Sequence, residues 1–155
     1  MKVWRFLATI LLTATTTLGA GPSDILGSWK SEENDSLLEF FTCGEKICGK
    51  IVWLKNPNYM NKKDGPVGKT KVDRKNPNPA LRTRPILGLQ VMKGLTARGN
   101  KRWEKGTCYD PETGKSYKCK MTQVSPDRLE LRGYIGVSLI GRNFALTRYR
   151  DTMSR

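Results

Sequence analysis

The chain has no histidine in 155 residues, only four cysteines, and half as many acidic as basic groups, 14 against 28. Its one strongly apolar run, Phe6 to Leu12, is far shorter than the ~20 residues a membrane-spanning helix needs. Each shortage excludes something. Without His there is no Ser-His-Asp triad, no imidazole general base and no His-ligated zinc. No spacing among the 14 carboxylates identifies a glycosidase pair. Gly68-Lys69-Thr70 and Gly114-Lys115-Ser116 are not phosphate loops, because the required first glycine falls on Lys63 and Tyr109. They read as turns. The expectation is a binding or structural protein, not an enzyme, with no cofactor and no metal.

What is present at the start is a targeting pattern. Lys2 and Arg5 precede the apolar run, a Thr-rich stretch follows, and small Gly19 and Ala20 end it. Residues 1–20 read as a signal peptide cleaved after Ala20, leaving one domain over 21–155. The 28 basic residues less Lys2 and Arg5 leave 26 against 14, a formal +12. A periplasmic or secreted protein follows, not a transmembrane one.

Export to an oxidising compartment favours disulfides over metal thiolates. Cys43, Cys48, Cys108 and Cys119 allow three pairings. Two hairpins select among them: a loop at 44–47 sets Cys43 opposite Cys48, Phe40 opposite Ile51 and Leu38 opposite Trp53, and a turn at 110–114 sets Cys108 opposite Cys119. Bridges between the hairpins remain the alternative. C-x4-C and C-x10-C are not standard zinc spacings.

Short runs of Val, Ile, Leu, aromatics and Thr, punctuated by Gly, Pro, Asn and Asp, dominate after Ala20, and no long amphipathic helix is visible. Strands are expected near 26–31, 36–43, 47–54, 86–95, 101–109, 115–123, 127–133 and 142–150. Eight consecutive strands with mostly tight connections predict an all-β, up-and-down barrel, with a β-sandwich as the alternative. The polar, Pro- and Asn-rich stretch 55–85 is the one long loop. Within it Asn78-Pro79-Ala80-Leu81-Arg82 suits a single helical turn with Asn78 as N-cap.

Several blocks together resemble a bacterial exported family, number 2147 among the domains of unknown function. They are Gly27-Ser28-Trp29, Cys43-Gly44 through Cys48-Gly49-Lys50-Ile51-Val52-Trp53-Leu54, Asp73 through Asn76-Pro77-Asn78-Pro79-Ala80-Leu81-Arg82-Thr83-Arg84-Pro85, Gly88-Leu89, Tyr109-Asp110-Pro111 with Gly114-Lys115-Ser116-Tyr117, and Ser125-Pro126-Asp127 leading into Leu131-Arg132-Gly133. The resemblance implies a lipocalin-like barrel in the periplasm or outside the cell and carries over no catalytic residue. Gly27-x-Trp29 also looks like the lipocalin signature in which the Trp closes one barrel end beneath an Arg from the last strand, here Arg148 or Arg150.

An eight-stranded barrel holds packed side chains or one small ligand. Arg82 and Arg84, fork-shaped guanidiniums on a loop that could cover the barrel mouth, suit a carboxylate or phosphate. The competing reading has one of them order the loop by pairing with Asp73. Trp53, Phe40 and Tyr134 complete the candidate ligand contacts. Residues 134–141 are apolar where a polar turn is expected, which fits core burial, a ligand portal or an oligomer interface. Basic residues are spread along the chain, which argues against a specific nucleic-acid site and for attraction to anionic envelope surfaces. The leading expectation is a small amphipathic or anionic ligand in the barrel. The alternative is a filled core acting on envelope polymers or a partner protein through basic loops.

Overall fold

The computed structural model describes residues 22–139 and 141–151, so the expected signal peptide lies outside the described residues. A 3-10 turn, Pro22–Ile25, leads into eight strands: β1 Gly27–Ser31, β2 Ser36–Cys43, β3 Lys46–Leu54, β4 Gln90–Ala97, β5 Arg102–Asp110, β6 Lys115–Ser125, β7 Arg128–Tyr134 and β8 Gly141–Arg148. Each pairs antiparallel with its neighbour, and β8 pairs with β1 to close the barrel. Closure leaves no unpaired sheet edge.

Strand alternation fills the half of the barrel near the 3-10 turn. Trp29, Phe40, Ile47, Leu95, Trp103 and Leu129 are buried in one cluster. Full burial of each such side chain contributes about 1.5–3 kcal/mol. The connections 44–45, 98–101 and 126–127 lie at this closed end, while 32–35, 55–89, 111–114 and the β7–β8 connection lie at the other.

The β2–β3 register differs from expectation by two residues. Phe40 faces Gly49, Leu38 faces Ile51, and Cys43 faces Lys46, not Cys48. The turn is the residue pair Gly44-Glu45, with Gly44 in the left-handed region at φ +67°. Size explains the register, because a Cβ at Gly49 would sit 3.0 Å from the Phe40 ring. The Cys43–Cys48 disulfide forms diagonally across the pair. In the second hairpin Cys108 faces Tyr117 and Cys119 faces Gly106. The expected Cys108–Cys119 bridge is corrected, since both are free thiols. Here too a glycine makes room: a Cβ at Gly106 would lie 2.9 Å from Cys119 Sγ and 2.7 Å from Leu95 Cδ2.

Strand β4 starts at Gln90, not 86. Residues 86–89 instead dock by backbone: Ile86 N donates to Lys71 O, and Gly88 N donates to Ile51 O. The short turn after Asn78 is a 3-10 helix, Pro79–Leu81, with the Asn78 side chain accepting from Ala80 N.

Candidate functional site

Three features stand at or near the end away from the 3-10 turn: an ordered long loop, a groove beneath it, and the mouth. The loop is organised around two buried side chains. Tyr59 packs its ring on Gly65, where a Cβ would come within 2.6 Å, and its hydroxyl both donates to Val72 O and accepts from Val72 N at 3.1 Å. Asp73 is fully buried. Its Oδ1 accepts from Tyr109 Oη at 2.5 Å, and its Oδ2 accepts from Asn76 Nδ2 at 2.7 Å and Arg84 Nε at 2.9 Å. A second Arg84 nitrogen lies 2.8 Å from the same oxygen. A buried carboxylate is tolerated when paired and hydrogen-bonded in this way.

Arg82 donates from Nε to Asn76 O at 2.8 Å. Both guanidiniums therefore have partners inside the loop, the arrangement in which arginine orders the loop. Burial first, and then the Asp73 carboxylate, push the Tyr109 hydroxyl up to about 12. The phenol stays protonated near neutral pH and keeps donating to Asp73, which locks the loop to the wall.

A groove of about 300 Å³ lies beside this lock, lined by Arg84, Gln90, Lys93, Thr107, Tyr109 and Ser116 among others. Thr107 and Tyr109 alternate with Gly106 and Cys108, which face the core, so the groove runs along the outer face of the wall. The part of the loop that lines it packs outside the barrel instead of covering the mouth.

At the mouth a second buried cluster, Ile51, Ile86, Leu89 and Val91 against Leu38, fills the β3–β4 side, and inward-facing exposure lies on the β7–β8 side. Leu131 pairs with Phe144 and Leu129 with Leu146, so all four share the inward face. Leu129, Leu131 and Leu146 are buried, yet Phe144 is 46% exposed. One rung further out Arg142 pairs with Gly133 on the same face and is exposed. Apolar surface thus lies below a cationic rim.

The candidate ligand residues do not converge. Phe40 is buried in the packed half. Trp53 pairs with Leu37, which alternates with core-packed Leu38, and is 43% exposed on the outer side. Tyr134 pairs with Lys118, on the face opposite to Cys119. Arg82 and Arg84 belong to the loop lock. The sequence does not single out Phe144 and Arg142, because both follow the ordinary alternation of β8 and nothing in the sequence marks their inward face as exposed.

The opposite end is closed by side chains. Arg148 lies over the Trp29 ring at 4.1 Å, and it donates from Nε to Pro126 O at 3.0 Å and from NH1 to Leu26 O at 3.3 Å. Trp29 Nε1 donates to Ile25 O at 2.9 Å. Arg150 instead pairs with Asp127.

A closed antiparallel eight-stranded barrel, plugged at one end by this Trp–Arg pair, is a lipocalin-like architecture. The chain belongs to the bacterial family described as "Uncharacterized protein conserved in bacteria (DUF2147)", whose model matches residues 27–148. Among solved structures it is similar to one described as "Protein HP1028 from the human pathogen Helicobacter pylori belongs to the lipocalin family". That match has 27% identity, covers 82% of this chain and 84% of that one, and has a TM-score of 0.69. No curated protein matches the chain. No described helix is long and apolar enough to cross a membrane.

Proposed function

We propose that this protein is an exported, non-enzymatic barrel that binds a small amphipathic, anionic molecule at its mouth. The observation that carries the reading is Phe144, an inward-facing aromatic left 46% exposed directly above a buried core. An apolar tail would cover Phe144, and Arg142 at the rim would meet the anionic head. Exposed inward apolar surface beside a cation is the usual makeup of a small-ligand site. The lipocalin-like neighbour supports a binding role. The N-terminal charge, apolar run and small residues, together with the Cys43–Cys48 disulfide, support a periplasmic or secreted location.

The test is titration with an anionic fluorescent amphiphile, alongside native mass spectrometry of protein recovered from its own host. Phe144→Asp should weaken binding at least tenfold and Arg142→Ala several-fold, both with unchanged circular dichroism. Full-strength binding by Phe144→Asp overturns the reading. The filled closed half favours a second reading, in which the protein acts on envelope polymers or a partner protein through its basic loops. Salt-sensitive association with envelope material by a ligand-free barrel would select it.

A further inference from the structure

The β7–β8 connection carries the most exposed apolar side chain in the described chain. Leu139 is 88% exposed, Ile135 65% and Val137 61%. Residues in such a turn are normally polar, and monomeric proteins seldom leave an apolar cluster uncovered without use. The segment is held in shape from below. Arg132 donates from Nε to Ser138 O at 2.6 Å, from NH2 to Leu139 O at 3.1 Å and from NH1 to Asn143 Oδ1 at 2.7 Å. Lys120 Nζ reaches Ser138 Oγ at 3.4 Å. Gly136 takes the left-handed conformation, φ +71°, that bends the backbone between Ile135 and Val137. The Ser138 and Leu139 carbonyls, costly to bring into a low-dielectric layer, are thereby already paired by the arginine.

The stem beneath this apolar tip is cationic. The paired rungs 118–120, 132–134 and 141–143 hold Lys118, Lys120, Arg132 and Arg142 and no acidic residue. A second copy meeting this stem with its own stem would bring like charges together. An anionic bilayer offers the opposite charge to the stem and an apolar layer to the tip. An apolar tip over a basic collar has the makeup of an interfacial anchor that sits ~5–10 Å into the headgroup and acyl boundary.

We infer that Ile135, Val137 and Leu139 form a finger that docks the mouth of the barrel onto an anionic lipid surface. The inference needs no ligand inside the barrel. To general electrostatic attraction it adds a specific apolar anchor and an orientation with the mouth facing the membrane. Each stem cation near the surface strengthens binding about fivefold.

The test is sedimentation with vesicles of phosphatidylcholine containing phosphatidylglycerol, against vesicles of phosphatidylcholine alone. All variants keep the same N-terminus, so any contribution from residues 1–21 cancels. The expected result is salt-sensitive binding to the anionic vesicles, weakened at least tenfold by a Val137→Asp/Leu139→Asp double variant with an unchanged melting temperature. In a second measurement, Leu139→Trp should show a blue-shifted emission increment over wild type on the anionic vesicles and quenching by brominated lipid chains. Unchanged vesicle binding by the double variant overturns the finger even if ligand binding inside the barrel is intact. So does an unquenched Trp at position 139, or self-association abolished by the same substitutions.

Discussion

The hydroxyl of Tyr109 on β5 donates to Oδ1 of Asp73, 36 residues earlier in the long loop, at 2.5 Å. This contact ties a stretch without regular strands to the barrel wall. Asp73 also holds Arg84 and Asn76, so one fully buried carboxylate gathers three side chains. Removing its charge leaves Arg84 without its counter-ion. Asp73→Asn should cost about 2–4 kcal/mol, given the cost of breaking a buried pair and the partial exposure of Arg84. Tyr109→Phe should cost about 1–2 kcal/mol, because one carboxylate oxygen loses its donor. Urea denaturation measures both, and proteolysis between 55 and 89 should accelerate in each variant.

The same pair predicts an alkaline limit to stability. The ordinary tyrosine value of 10 is raised to about 12 in the fold, first by desolvation and then by Asp73. Below pH 10 the phenol is protonated in folded and unfolded chains alike, and its contribution is complete. Between about 10 and about 12 the unfolded chain gives up the proton first, so stability falls as pH rises. Tyr109→Phe should lack this component. Ultraviolet titration of phenolate should show a late-ionising tyrosine in wild type that is missing from the variant.

Trp29 and Arg148 tie the first strand to the last. Trp29→Ala should destabilise by about 3–5 kcal/mol through the cavity left in the closed end. Arg148→Ala should cost about 2–3 kcal/mol, combining a stacked cation with lost carbonyl contacts. Arg148→Lys should not restore it, because a single ammonium cannot cover the ring and reach the Pro126 and Leu26 carbonyls together. Neither Arg148 variant should change ligand affinity at the mouth by more than about twofold, since Phe144 and Arg142 lie at the other end.

The barrel was legible because period-two runs separated by turn residues survive in sequence, and the Trp at Gly27-x-Trp29 marks where β1 begins. Register was not, because alternation alone allows slips of two residues that keep every side chain on its face. What chose among them was Phe40 seated on Gly49 and Cys119 seated on Gly106, and such pairings appear only when strands are aligned. The loop lock was half legible, in the expected pairing of an arginine with Asp73. Tyr109 was hidden because its partner lies in a segment with no period. Phe144 was hidden for the opposite reason: it obeys the alternation of a core residue, and only the absence of a neighbour above it distinguishes it.

The cysteines give a direct check on that register. Alkylation in denaturant without reductant should label Cys108 and Cys119 and spare Cys43 and Cys48. In the folded protein the reaction should be slow, because Cys119 is buried and the Cys108 thiol is pushed up by its hydrogen bond to Cys119 and by burial, leaving little thiolate. Replacing Cys43 and Cys48 with serine should cost about 2 kcal/mol, the loop-entropy scale for so short a bridge. Mass spectrometry of the labelled peptides separates the two pairs.

Gly114 provides the sharpest test of how the long loop is seated. It has φ +71°, and a Cβ there would lie 1.9 Å from Lys75 O and 2.8 Å from Lys75 C, both backbone atoms that cannot rotate aside. Gly68 has a similar φ, +78°, but open space around it. Gly68→Ala should therefore cost only the ~1–2 kcal/mol of left-handed strain. Gly114→Ala must also push the 111–114 turn away from the segment carrying Asp73 and Asn76. It should destabilise by more than about 3 kcal/mol, the combined scale of overpacking and strain. As the lock loosens, the Tyr109 value should fall back toward 10. Equal costs for the two alanine variants would mean that the turn and the loop do not touch as described.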